Sequence, residues 1–263
     1  MKPWALLLLC AAPALGHEFW IEASSFRPAP GEALDCRLFV GDGFPGEAYA
    51  RNPRHIDSFF LVAGGRRLPV HGRDGADPAG RLHAPATGGT AVLVYRSTRS
   101  RVELPAEKFE RYLVEEGLEA IVRQREERGE SGTPGRELYS RCAKALVRIR
   151  GGRGGGHDVP VGLPLELVPE DDPAGIEPGA PLTFRVLDAG APLARALVRA
   201  FPKEGGGAPL TERTDAEGRA RFRLPHAGVW MVSVVAMKRA PEGLDAEWES
   251  LWSSLTFALG RVP

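Results

Sequence analysis

The sequence predicts a mainly β protein built as two β-sandwich domains, with a helical insertion in the first. Three observations carry that reading. Short runs of alternating or β-branched apolar residues recur along the chain, each bounded by turn residues. Glycine and proline, 32 and 23 of 263 residues, supply those turns without making the chain low-complexity. One charged stretch, residues 105–149, carries its apolar residues at helical spacing instead. Hydrophobic residues make up 43% and charged residues 26%, so the chain can bury a core. The 34 basic and 34 acidic residues balance to zero net charge, which argues against nucleic-acid binding by phosphate neutralisation.

Residues 1–16 read as a secretory signal that is cleaved from the mature chain. Lys2 supplies the positive start, residues 4–12 the apolar run, and Ala14 and Gly16 the small residues before a cut at His17; a cut after Ala14, where Ala12 and Ala14 also fit, is the alternative. The apolar run is too short to span a bilayer, so the mature chain is expected to be periplasmic or secreted and not membrane-spanning. Residues 18–23 then form a strand candidate, with Phe19 and Ile21 on one face and Glu18, Trp20 and Glu22 on the other. A strand around Cys36 follows, then the turn-rich loop 41–46. Residues 58–62 and 67–70 read as a hairpin around Gly64 and Gly65, residues 72–90 as loop, and residues 90–96 as a strand.

Pro105 suits a helix start. Phe109, Leu113 and Val114, then Ile121 and Val122, follow at helical spacing, and Gly117 predicts a break between two helices. Residues 137–149 form a further helical candidate through Leu138, Cys142, Ala145, Leu146 and Ile149, with an end that could run into a strand. These helices are expected to cover one end of the first domain, residues 17–168. The Pro169-Glu170-Asp171-Asp172-Pro173 segment reads as a boundary. Beyond it, residues 169–263 alternate strand and turn signals, as a second, smaller sandwich does.

Little chemistry is written locally. The Gly-rich run 151–156 lacks the Gly-Lys-Ser/Thr of a phosphate cradle, and there is no Gly-x-Ser-x-Gly elbow. Asp215 and Glu217 sit in a tight turn rather than a calcium loop. Cys36 and Cys142, left after signal removal, are either a disulfide or two separately buried thiols. None of the six histidines forms a close His-His pair. His17 stands apart: after cleavage at Gly16 it offers both an α-amine and an imidazole, two nitrogens able to chelate one transition-metal ion. A third ligand must come from elsewhere. His55 is a loop candidate, and His157 and His226 are others.

Several segments carry a resemblance. They are His17-Glu18-Phe19-Trp20-Ile21-Glu22, Phe26-Arg27-Pro28-Ala29-Pro30-Gly31-Glu32, Val40-Gly41-Asp42-Gly43-Phe44, Glu107-Lys108-Phe109-Glu110-Arg111-Tyr112-Leu113, Tyr139-Ser140-Arg141-Cys142-Ala143-Lys144, Gly162-Leu163-Pro164-Leu165-Glu166-Leu167-Val168-Pro169 and Asp245-Ala246-Glu247-Trp248-Glu249-Ser250-Leu251-Trp252. Together they resemble an exported bacterial family of unknown function, labelled as a NikM-like periplasmic component of nickel or cobalt uptake. The resemblance implies an immunoglobulin-like or transthyretin-like, carboxypeptidase-regulatory-like second half. It also implies a metal role for the residue aligned with His17. The chain departs from the family pattern at Ala236, where relatives carry a His.

The resulting expectation is a non-catalytic periplasmic protein that binds or handles nickel, cobalt or copper through His17, with no organic cofactor. Its expected partner is a membrane metal-uptake transporter or another envelope protein. The alternative is an envelope interaction module for a protein or glycan, for which Trp20, Trp230, Trp248 and Trp252 would be either core or a glycan surface.

Overall fold

A computed structural model describes residues 17–152 and 155–260; the predicted signal, residues 1–16, lies outside them. The first strands are β1 (Glu18–Ala23), β2 (Ala33–Gly41), β3 (Glu47–Ala48), β4 (Ile56–Ala63), β5 (Arg66–Pro69), β6 (Gly80–His83), β7 (Gly89–Ser97) and β8 (Ser100–Leu104). Two helices follow, α1 (Ala106–Glu115) and α2 (Glu119–Glu127). Then come β9 (Gly135–Ile149), β10 (Leu165–Pro169), β11 (Pro181–Asp188), β12 (Ala191–Pro192), β13 (Leu197–Pro202), β14 (Leu210–Arg213), β15 (Arg219–Arg223), β16 (Gly228–Arg239) and β17 (Trp248–Leu259).

The molecule is mainly β and is built in three layers. Its centre is a nine-stranded sheet in the order β14-β13-β16-β17-β9-β7-β4-β5, with β8 also paired to β9. All of these pairings are antiparallel except β17 on β9, which is parallel with Trp248 opposite Glu137. A sheet of β1, β2, β3 and β6 and a sheet of β10, β11, β12 and β15 make the outer layers. Side-chain alternation assigns the faces. Ala91, Leu93 and Tyr95 of β7 and Ala143, Ala145 and Val147 of β9 pack with Phe19, Ile21, Leu34 and Leu38. The intervening Val92, Val94, Cys142 and Leu146 face the other way, onto Leu165, Leu167, Phe184 and Val186.

Two expectations change here. Residues 137–149 are strand, not helix. β9 is covered on both faces, so its inward residues do not alternate with exposed ones and their spacing imitates an amphipathic helix. The helices cover part of the first half, through Leu104, and also reach into the second. Phe109, Tyr112, Leu113 and Ile121 pack on Val235, Trp248 and Trp252 from β16 and β17. Gly117, at φ 69°, makes the break between α1 and α2 that its position in the sequence predicts. The central sheet also runs across the 168/169 segment read as a boundary, and β10 pairs with β11.

Of the two readings of the cysteines, the separately buried thiols hold and the disulfide is not formed. Cys36 and Cys142 are both free and buried. Cys36 belongs to the core under β2, and Cys142 to the core on the opposite face of the central sheet. A layer of backbone separates them, farther than a disulfide reaches. Burial pushes their thiols up, to about 12 for Cys36 and about 11 for Cys142.

Candidate functional site

β1 sets the position of the candidate site. All six of its residues are buried, because it lies between β2 and the middle of the central sheet. Its odd residues enter the core beneath β2, while Trp20 packs with Phe201 and Met231. The carboxylate of Glu18 accepts from Arg199 Nη2 at 2.8 Å and from Ser233 Oγ at 2.9 Å. Arg199 also bonds Glu116, at the end of α1. Burial raises the pKa of Glu18, and Arg199 and the Ser233 hydroxyl pull it back. Burial, with Glu18 nearby, raises Glu116 to about 8 against the pull of Arg199.

Strand register does the next step. β1 and β2 are antiparallel with Glu18 opposite Gly41, so the residue before Glu18 faces the residue after Gly41. Those two are His17 and Asp42, and His17 Nδ1 is bonded to Asp42 Oδ1. The Asp42 side chain is 82% exposed and that of His17 is 22% exposed.

The pair stands at the rim of a cavity of about 720 Å³. His55 lines the same cavity, so the first two sequence candidates for metal binding share one site. His55 ends a short 3₁₀ turn, Pro53–His55, capped by the Asn52 side chain accepting from Arg54 N. Its Nδ1 is bonded to the Tyr49 hydroxyl, and its carbonyl accepts from the Tyr95 hydroxyl at 3.0 Å. His157 and His226 do not line the cavity. His226 instead packs against Trp230, ring centroids 4.8 Å apart. Among the described residues, no group of three or more His, Cys, Asp and Glu side chains is gathered to hold a metal ion.

The deeper wall comes from β9. Glu137, Tyr139 and Arg141 alternate with inward residues and so share one face, the face that lines the cavity. Glu137 accepts from Tyr112 Oη at 3.2 Å and from Ser250 Oγ. Burial pushes its carboxyl up to about 7, against the pull of those two hydroxyls. The Arg141 guanidinium lies 4.9 Å from the Phe19 ring centroid and 5.5 Å from that of Tyr139. Tyr49, Tyr95, Tyr112 and Trp252 complete an aromatic lining. Sequence reasoning missed this wall. The signal that could have found it is period-two alternation through Glu137, Tyr139 and Arg141, which the helical reading of the segment scattered.

The four tryptophans named as core or glycan surface are all buried, Trp20 and Trp248 fully. The loop at Asp215 is a turn: its carboxylate accepts from Glu217 N at 3.0 Å and Arg219 N at 2.8 Å. No described helix is long and apolar enough to cross a membrane.

Residues 14–238 match the family described as "Domain of unknown function (DUF4198)". The chain belongs to the DUF4198 family. That description assigns the family no ligand and no metal. No curated protein matches this DUF4198 chain. Among solved structures, it is similar to the D0-D1 domain of Intimin at 13% identity and a TM-score of 0.21, covering 91% of this chain and 97% of that one. It is similar to Escherichia coli alpha-2-macroglobulin activated by porcine elastase at 10% identity and a TM-score of 0.23, over 94% and 20% of the two chains. It is also similar to the three N-terminal domains of the bacteriophage RB49 Highly Immunogenic Outer Capsid protein, at 7% identity and a TM-score of 0.24, over 94% and 71%. Overlaps this loose carry no argument about the DUF4198 site.

Proposed function

We propose that this chain is an exported, non-catalytic binding protein that takes a transition-metal ion, nickel, cobalt or copper, as cargo at His17. The observation that supports the reading is the contact of His17 with Asp42 at the rim of a cavity that His55 also lines. An imidazole and a carboxylate supply two donors. Signal cleavage after Gly16 would add the α-amine of His17 beside its own imidazole, and that amine deprotonates near neutral pH when a metal competes for it. Nitrogen-rich donor sets suit these ions. Such a site needs the processed N-terminus, since the described side chains alone gather no group of three or more ligands.

The test is native mass spectrometry with one equivalent of Ni(II) or Cu(II). Chain beginning at His17 should retain one ion. Chain with one extra N-terminal residue, and the variants His17→Ala and Asp42→Asn, should lose it. Equal retention in the blocked and unblocked chains would overturn the reading.

A further inference from the structure

We infer that the inner part of the cavity is a binding site for a small organic carboxylate with a flat apolar body, held by Arg141 and the aromatic wall. The inference goes beyond the metal reading and does not depend on it. Arg141 is half-buried on β9, a strand covered on both faces. Its guanidinium faces two rings, Phe19 and Tyr139, and forms no ion pair or hydrogen bond with the described residues. The nearest opposite charge on β1 is Glu18, and that carboxylate is taken by Arg199 and Ser233. An arginine stays charged at any ordinary pH, and its planar fork matches a carboxylate in two parallel hydrogen bonds. A guanidinium held at a cavity wall with no carboxylate bonded to it directly is therefore open to a ligand carboxylate.

The surroundings define the rest of the ligand. Tyr49, Tyr139 and Trp252 line the same space, and aromatic walls of this kind receive a flat apolar body. The volume, about 720 Å³, lies in the range that accommodates small organic ligands. Glu137 stands on the same face of β9, four residues before Arg141, with Tyr139 between them. At about 3.3 Å of rise per residue their backbones are about 13 Å apart, so the two charges need not neutralise each other. That spacing also disfavours a second carboxylate at the far end of the ligand.

The test is isothermal titration calorimetry on full-length mature chain stripped of metal on a chelating resin. The probes are 3-phenylpropanoate, its neutral amide 3-phenylpropanamide, and acetate. The acid should bind, the amide at least about tenfold more weakly, as the loss of one charge-assisted contact dictates. Acetate, lacking the ring, should bind more weakly than the acid. Arg141→Gln should abolish the difference between acid and amide while circular dichroism stays that of the parent chain. The acid-against-amide comparison on the parent chain needs no variant, so it decides the matter even if Arg141→Gln fails to fold. Equal affinity for acid and amide would overturn the inference. So would no heat from 3-phenylpropanoate, phenylacetate or indole-3-acetate up to about 5 mM, the weak end of small-ligand affinity. Metal-free protein separates this outcome from that of the metal titration.

Discussion

Arg199 of β13 holds Glu18 of β1 at 2.8 Å, and this contact ties the segment beside His17 to the C-terminal half of the chain. Glu18 and Glu116 are both buried, so removing the guanidinium leaves two carboxylates without their shared cation. Arg199→Met should destabilise the fold by about 3–5 kcal/mol, the usual cost of breaking a buried ion pair from one side. Urea unfolding measures it. On the proposed metal reading, the same variant should also loosen retention at His17, because Glu18 is its immediate neighbour.

Stability should fall as pH rises from acid to mildly alkaline. Glu137 is raised from 4.5 to about 7 and Glu116 from 4.5 to about 8, both chiefly by burial. A carboxyl raised in the folded state keeps its proton where the unfolded chain has released it. The folded chain then binds more protons across this window, and the advantage present below 4.5 is lost as pH climbs through the folded values. Glu137 alone accounts for about 3 kcal/mol of that loss. Unfolding free energies between about pH 5 and about pH 8 should therefore drop less in Glu137→Gln than in the parent. Identical slopes would contradict the assignment.

Lys144 donates to Glu166 at 2.8 Å in the core between β9 and β10, each side chain only 2% exposed. Glu166 also accepts from the backbone N–H groups of Val161, Gly162 and Leu163. Lys144→Met should cost about 3–5 kcal/mol, since it strands a buried carboxylate. Glu166→Gln, which keeps acceptor capacity for part of that nest, should cost less. Denaturant midpoints rank the two.

Gly46 sits at φ 62° between Asp42 and β3, and a Cβ there would meet the Trp20 ring. Gly46→Ala should therefore lower stability by about 1–3 kcal/mol through overpacking and backbone strain. Because the same loop carries Asp42, the variant should also weaken the metal retention proposed for His17. Thermal melts and the native-mass titration report the two effects separately.

The thiols offer a direct check on the layers. Cys36 and Cys142 should resist a thiol reagent in the folded protein and react fully in denaturant, without prior reduction. An intact mass two hydrogens light would contradict the separation of the two cores.

Most of the outer architecture was legible because it follows local rules. β1, the hairpin of β4 and β5, and the break at Gly117 all carry short-range signals of period or turn chemistry. β9 did not, because its pattern is set by what covers it. A strand packed on both sides loses the alternation that identifies a strand, and Leu138, Cys142, Ala145 and Ile149 then fall at helical spacing by coincidence. That one misreading hid the site wall, since Glu137, Tyr139 and Arg141 converge only on an extended backbone. The sequence singled out His17, which the structure places against the cavity. It did not single out the partner Asp42, because the pairing depends on the register of β1 against β2. Small strands such as β6 inside the Gly- and Pro-rich stretch 72–90 exist only through long-range pairing with β2.

β17 occupies the middle of the nine-stranded sheet, between β16 and the much earlier β9. The ribosome makes β4, β5, β7 and β9, one half of that sheet, long before it makes the strand that joins them to β16 and β13. Until Trp248–Leu259 emerges, β9 has an open edge along Glu137 to Ala145, and the wall carrying Arg141 has no neighbour on that side. The cavity is thus among the last features to be completed during synthesis. A nascent chain stalled before this segment would carry most of the residues that line the cavity, from His17 to Arg141, but would lack Trp252 and the strand that flanks Arg141.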